Sequence, residues 1–253
     1  MTGIVLPPGF EWVRGERATF LVRSDVRSWM VPLLQAAGRD GMQEISRRFA
    51  GGRGGTSVVC RHGRAVVLRP CRRGGLPARL LRDTYFGWRP RPFRELCVTE
   101  TLRRRGAPAV EVYGAAVWWH LPGCYRGWLA TRYLSQTRTF WEWAVHAVPI
   151  EKREVVMRQV GRAIRRLHDS GGRHPDLNVH NILICPPPCS TQVAGTPAVV
   201  LIDFDRARMN QRGRPEADLE RLHRSARKLD PQGARVTVAD LRHVEAGYRE
   251  SGP

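Results

Sequence analysis

The segment His174-Pro175-Asp176-Leu177-Asn178-Val179-His180-Asn181 holds the residue types and spacing best suited to chemistry in this chain. Asp176 and Asn181 bracket a short turn, and another carboxylate, Asp203, ends an apolar run in Ile202-Asp203-Phe204-Asp205. This set suits phosphoryl transfer from a nucleotide. One carboxylate must orient the attacking hydroxyl and take its proton, and hard oxygen ligands must hold Mg2+ on the phosphates. Asp176 fits the first role; Asn181 and Asp203 fit the second. Singly, Asp176 reads as a turn cap and Asn181 as a loop end, so it is their combination that points to catalysis. His174 reads as a buried histidine that organises backbone, whereas His180 either supports the loop or faces the acceptor.

These groups need elements to position them. Glu151 to His168 places Val156, Val160, Ala163, Ile164 and Leu167 on one face, with acidic residues at its start and basic ones at its end, and predicts a helix suited to its own dipole. Asn181–Ile184 and Val199–Ile202 predict a hairpin with a long Pro-rich loop, and Glu216–Leu229 a further helix. The tail after Asp230 reads as weakly amphipathic. Upstream the texture is sheet-rich. Thr56 to Cys60, after the glycine-rich bend, and Ala65 to Arg69 read as strands about a tight His62-Gly63-Arg64 turn, and Val110–His120 and Trp128–Leu134 as a hairpin around Leu121-Pro122-Gly123. A helix is predicted from Pro92 to Arg105 and another around Val26–Ala37, while the rest of the first forty residues shows no clear pattern. Trp141 and Trp143 read as packing residues.

The sheet-rich half supplies what the carboxylate cluster lacks. Backbone N–H groups of a glycine-rich bend, with Gly52, Gly54 and Gly55, can approach a triphosphate, and Arg69 at the end of the following strand can reach its oxygens. Glu95, on the next helix, can hold that cation by an ion pair. The order is glycine loop, cationic strand, helical glutamate, H-x-D-x-x-x-x-N, then D-F, which is the protein-kinase order.

With these residues, and with Arg72-Arg73-Gly74-Gly75-Leu76, Phe93-Arg94-Glu95 and Leu219-Glu220-Arg221-Leu222-His223-Arg224-Ser225, the chain resembles the 3-deoxy-D-manno-octulosonic acid (Kdo) kinase family. The resemblance implies an α+β, bilobal protein-kinase-like fold, with a sheet-rich N-lobe over residues 1–134 containing one main helix and a mostly helical C-lobe over 135–253. It implies ATP- and Mg2+-dependent phosphorylation of the 4-hydroxyl of Kdo on a lipid A precursor in lipopolysaccharide inner-core synthesis. It also implies a cytoplasmic enzyme, peripheral on the inner membrane. Departures from the protein-kinase pattern bear on the acceptor. Arg69 stands where lysine is usual, Asp205 stands where glycine is usual, no A-P-E segment follows, and only fifteen positions separate Asp203 from Asp218. These favour a small or glycolipid acceptor over a peptide. A heptose kinase or an atypical protein kinase are the rivals within the fold; a basic nucleic-acid-binding or pseudokinase module is the rival outside it.

Composition narrows the partners. The 253 residues carry 42 basic and 23 acidic side chains, a net charge of +19, and every basic residue except Lys152 and Lys228 is arginine. The Arg-to-Lys ratio reads equally as a genome-wide bias toward arginine codons or as a functional feature; under either reading the sign of the charge predicts polyanionic partners. Without a nucleic-acid-binding signature, nucleic acid is not expected, and a phosphorylated glycolipid or an anionic membrane surface is. Arg72, Arg73, Arg79, Arg82, Arg89 and Arg91 interleave with Leu76, Leu80, Leu81, Tyr85, Phe86 and Trp88, a mix suited to a headgroup layer or to a solvated helix face. No apolar stretch approaches the roughly 18 residues of a membrane span, and no secretory signal is expected from Met1–Phe10. Cys185 and Cys189 form half a zinc site at most.

Overall fold

The computed structural model describes residues 5–39, 56–72, 84–146, 150–186, 197–209 and 214–250. The chain divides into two compact units: residues 1–100 with 111–133, and residues 101–110 with 134–253.

The first unit is built on one antiparallel sheet. Its strands are β1 (Phe10–Arg14), β2 (Ala18–Arg23), β3 (Ser57–Arg61), β4 (Arg64–Pro70), β5 (Tyr85–Phe86), β6 (Val112–Leu121) and β7 (Cys124–Arg132). The order across the sheet is β1-β2-β6-β7-β4-β3, with β5 paired to β7. Successive strand residues point to opposite faces, so each strand feeds two cores. Phe20, Val22, Val66, Leu68, Trp128 and Ala130 pack with Met30 and Leu34 of helix α1 (Arg27–Arg39). Leu21, Val112, Val117, Tyr125 and Leu129 pack on the other face with Phe93 and Leu96 of helix α2 (Arg91–Arg104). This alternation has a direct consequence for Arg69. With Val66 and Leu68 turned towards α1 and Arg69 paired across the ladder with Leu129, Arg69 stands on the α2 face.

The β3–β4 hairpin turns at His62 and Gly63, which lie in the left-handed region at φ 49° and 71°. The β6–β7 hairpin turns at Pro122-Gly123, as its sequence predicts. The β1–β2 hairpin lies where the sequence shows no pattern, because its strands are short and β2 has apolar residues on both faces.

In the second unit, helix α4 (Ile150–Asp169) buries Val156, Met157, Val160, Ala163, Ile164 and Leu167, the predicted stripe with Met157 added. The short helix α3 (Phe140–Ala144) starts at a capping box in which Thr139 Oγ1 accepts from Glu142 N–H and Glu142 accepts from Thr139 N–H. Strands β8 (Arg138–Thr139), β10 (Ile182–Cys185) and β11 (Ala198–Leu201) form one sheet, and β9 (Gly172–Arg173) pairs with β12 (Arg208–Met209). Helix α5 (Glu216–Leu229) matches its predicted span. The tail read as weakly amphipathic is helix α6 (Val238–Arg249), which starts at a Thr237/Asp240 capping box.

Helices α4 and α6 cross backbone to backbone. A Cβ on Gly161 would lie 2.0 Å from the Val244 carbonyl oxygen, and one on Gly247 would lie 2.1 Å from that of Arg158. Only glycine fits at these two points.

Candidate active site

The turn from β9 to β10 carries Asp176 and Asn181, and its conformation is held by local hydrogen bonds. The Asp176 main-chain carbonyl accepts from Asn178 Nδ2 and from Asn181 Nδ2, each at 3.0 Å. Asn178 Oδ1 accepts from the His180 N–H at 2.9 Å, an Asx turn. Leu177 and Val179 are fully buried beneath the turn, and the Val179 N–H donates to Ser225 Oγ at 3.4 Å. The Asp176 side chain is partly exposed, and Oδ1 accepts from Arg221 Nη2 of α5 at 2.7 Å. Oδ2 has no hydrogen-bond partner among the described residues.

Asn181 leads into β10, and β10 pairs antiparallel with β11 through Ile182 and Leu201. The pairing continues one step further: the Ile202 N–H donates to the Asn181 carbonyl at 3.0 Å. Asp203, the next residue, is thereby brought to the strand end from which Asn181 departs. Asp203 has φ 66° and ψ 62°, a left-handed conformation that costs an L-residue energy and concentrates at functional sites. Phe204, 1% exposed, anchors the chain immediately after it.

His174 is fully buried, as read from the sequence, and works through its backbone and ring contacts. Its N–H donates to Asp218 Oδ2 at 2.8 Å, and its Nε2–H donates to the Ile202 carbonyl at 3.0 Å. It ties the turn that carries Asp176 to the segment preceding Asp203. Asp218 Oδ2 also lies 3.0 Å from His168 Nε2, and His168 Nδ1 lies 2.8 Å from the Tyr248 hydroxyl. With the imidazole proton on Nε2, His168 donates to Asp218 and Tyr248 donates to Nδ1. Burial pushes the Tyr248 phenol above its ordinary pKa, which keeps that proton in place. Asp218, His168 and Tyr248 are not picked out by residue spacing; a buried carboxylate in the first turn of an amphipathic helix is the signal that marks Asp218. Arg221 enters the sequence reading only inside the Leu219–Ser225 motif.

In the first unit, Arg69 Nη2 donates to Glu95 Oε1 at 2.5 Å. Glu95 is 2% exposed and Arg69 about one-third exposed, so the carboxylate is the buried anchor of the pair. Gly52, Gly54 and Gly55 lie outside the described residues, as do Arg73, Arg79, Arg82 and Cys189.

Asn181 and Asp203 fit a magnesium ion by donor type. Both offer hard oxygens, and the bond from Asn181 Nδ2 to the Asp176 carbonyl fixes which end of the amide is the nitrogen. Among the described residues no group of three or more His, Cys, Asp or Glu side chains forms a metal cage. Two protein ligands completed by phosphates is the habit of Mg2+ at nucleotide sites.

The chain is similar to known proteins in both sequence and fold. The profile of the "Lipopolysaccharide kinase (Kdo/WaaP) family" matches residues 42–248. A 3-deoxy-D-manno-octulosonic acid kinase of Xanthomonas campestris pv. campestris (strain B100) is 37% identical over 205 residues, covering 78% of this chain and 76% of the relative. The enzyme of the same name from Xylella fastidiosa (strain M12) is 34% identical over 205 residues, covering 79% and 73%. A solved structure described as "WaaP in complex with acyl carrier protein" has the same fold, with a TM-score of 0.54 at 18% identity over 90% of this chain and 88% of that one. The α+β, protein-kinase-like fold class read from the sequence is that of the chain. With this family profile and these relatives covering most of its length, the chain is a phosphotransferase that belongs to the lipopolysaccharide kinase (Kdo/WaaP) family.

Proposed function

We propose that this protein transfers the γ-phosphoryl group of ATP to the 4-hydroxyl of a Kdo residue on a lipid A precursor. The observation that carries the reading is the tied turn in which the Asn181 side chain donates to the Asp176 main-chain carbonyl while the Asn181 carbonyl accepts from the N–H of Ile202, the residue before Asp203. Asp176, with Oδ2 open among the described residues, accepts the proton of the attacking hydroxyl. As the oxygen bonds to the γ-phosphorus, the bond from that phosphorus to the β-phosphate bridging oxygen breaks and ADP leaves. Asn181 and Asp203 are the residues to hold Mg2+, which when bound neutralises phosphate charge. Arg69, braced by Glu95, grips phosphate oxygens, and the Gly52–Gly55 segment supplies backbone N–H donors. A sugar acceptor rather than a peptide is supported by the two relatives named above, both 3-deoxy-D-manno-octulosonic acid kinases, and by the short path from Asp203 to Asp218.

The test is ADP formation by the purified protein with three acceptors: a Kdo-bearing lipid A precursor, the same lipid stripped of Kdo, and a heptosylated core. Stimulation by the first alone supports the assignment; stimulation by the heptosylated core alone replaces Kdo with heptose. Asp176→Asn should lower turnover roughly 100- to 10,000-fold, as loss of a general base does, while nucleotide binding persists.

A peripheral position on an anionic membrane face belongs to the same proposal. Among the described residues no helix is long and apolar enough to cross a membrane. Phe86, Trp88 and Leu121 are 60%, 72% and 68% exposed, and Trp88 stacks near Trp119 with centroids 6.5 Å apart. An open groove of about 800 Å³ there is also lined by Arg14 and Arg17. Aromatic rings among arginines suit a layer of anionic headgroups. Co-sedimentation with phosphatidylglycerol vesicles should fall for Trp88→Ala and vanish on neutral vesicles.

A further inference from the structure

Arg221 remains without a role in the chemistry described so far. It stands on α5, and that helix is tied to the catalytic turn twice: by Asp218, which accepts from the His174 N–H at 2.8 Å, and by Ser225, which accepts from the Val179 N–H at 3.4 Å. Leu219 and Leu222 are buried beside it. The guanidinium is therefore held in place next to Asp176, with Nη2 donating to Oδ1 at 2.7 Å.

Stability does not account for this pair. The two side chains are 38% and 35% exposed, and ion pairs this wet contribute little to folding. A guanidinium also presents five donors in one plane. Asp176 Oδ1 is the acceptor for Nη2, and Nε and Nη1 have no partner among the described residues. A cation with unused donors beside the catalytic carboxylate is equipped for a second anion.

We propose that Arg221 binds the carboxylate of the acceptor sugar, so that one guanidinium bridges the catalytic base and the substrate's acid group. The inference rests on the reading of the acceptor as Kdo, an octulosonic acid whose carboxyl group is ionised at neutral pH. Two carboxylates in one site repel, and a guanidinium between them removes that penalty while its planar fork orients the sugar. A neutral sugar in the same place would leave the free donors of Arg221 unpaired, and a site built around a polar partner discriminates against analogues that lack it. Arg221 would thus select an acidic sugar over a neutral heptose.

The experiment compares two acceptors: the Kdo-bearing lipid A precursor and the same lipid with the Kdo carboxylate reduced to a primary alcohol. The wild-type protein should prefer the carboxylate form in kcat/KM by roughly 10- to 100-fold, the worth of a charge-assisted hydrogen bond. In Arg221→Gln this preference should collapse to near unity. Arg221→Lys should retain part of it, since a point charge replaces the fork. A purely structural role in orienting Asp176 would slow both acceptors by the same factor, so the ratio is the diagnostic quantity. An unchanged ratio in Arg221→Gln overturns the inference, whatever the absolute loss. If Arg221→Gln does not fold, as judged by its thermal transition, the Arg221→Lys ratio decides: a fall supports the inference and a wild-type value overturns it. Equal wild-type rates on the two acceptors also overturn it while leaving Kdo phosphorylation intact. Absence of turnover on either acceptor overturns the proposed function itself.

Discussion

Asn181 Nδ2 donates to the main-chain carbonyl of Asp176 at 3.0 Å, so the proposed base and one of the two residues proposed to hold Mg2+ are two ends of a single closed turn. Removing the Asn181 side chain should therefore do two things at once: loosen the turn and delete the oxygen proposed to hold Mg2+. Asn181→Ala is expected to lower turnover roughly 10- to 100-fold, the usual cost of disturbing a metal shell, and to raise the Mg2+ concentration needed for half-maximal rate. Asn181→Asp keeps an oxygen but loses the donor, so it should recover Mg2+ dependence better than turnover. Initial rates across a Mg2+ titration check both; an unaltered Mg2+ dependence in Asn181→Ala would remove this residue from the metal site.

Asp203 sits at φ 66° and ψ 62°, where glycine is relaxed and other residues are not. Asp203→Gly and Asp203→Ala delete the same carboxylate, and both should abolish phosphate transfer. They should differ in stability, with the glycine variant the more stable by about 1 kcal/mol, the ordinary strain of a left-handed L-residue. Urea denaturation of the two variants measures that difference. An alanine variant as stable as the glycine one would show that the backbone there relaxes freely.

The pair Arg69–Glu95, at 2.5 Å, joins a partly exposed cation to a carboxylate only 2% exposed. If Glu95 braces Arg69 for phosphate contact, Arg69→Gln and Glu95→Gln should each raise KM for ATP. The double variant should be less impaired than the product of the two predicts, with a coupling of about 0.5–3 kcal/mol. A strictly multiplicative result would separate the ion pair from nucleotide binding.

Acid should weaken the second unit through Asp240. Burial acts to raise its pKa, but Arg153, donating at 2.7 Å and 2.9 Å, and Thr237, donating from its N–H at 2.7 Å and its hydroxyl at 2.9 Å, overcome that and hold the carboxyl below its ordinary 3.8. A folded-state pKa below the unfolded one means that the stabilisation is complete above the unfolded value. It is then lost as pH falls through the folded value. Stability should decline below about pH 4, and Asp240→Asn should flatten this limb. Denaturant unfolding between neutral pH and acid follows it; an equally steep acid loss in Asp240→Asn would assign the effect to other carboxylates.

How far the sequence could be read depended on the range of the interactions. The span of α5 and the core of α4 are readable because each carries a one-face apolar stripe with acidic residues near its start and basic ones at its end. The β10–β11 hairpin is readable from two apolar runs flanking a Pro-rich insert. By contrast, α6 hides because Gly247, which would have weakened any helix reading, is required by its close crossing of Gly161. A local signal was present there, the Thr237/Asp240 capping box. The β1–β2 hairpin hides because β2 is flanked by β1 and β6 and packs on both faces, so its alternation is blurred.

The same division holds at the site. Asp176, Asn178 and Asn181 belong to one turn whose hydrogen bonds span two to five residues, so residue type and spacing suffice to identify it. The contacts that set it in place reach much further: Asp218 to the His174 N–H across 44 residues, Arg221 to Asp176 across 45, and Tyr248 to His168 across 80. Such partners have no periodicity or spacing in the chain to announce them. They meet because α5 and α6 bury their apolar faces in the second unit, and where a helix comes to rest depends on how its side chains fill space with those of distant elements. The amino-acid order thus carries the candidate groups and the class of chemistry, whereas the choice of which arginine stands beside Asp176 belongs to packing.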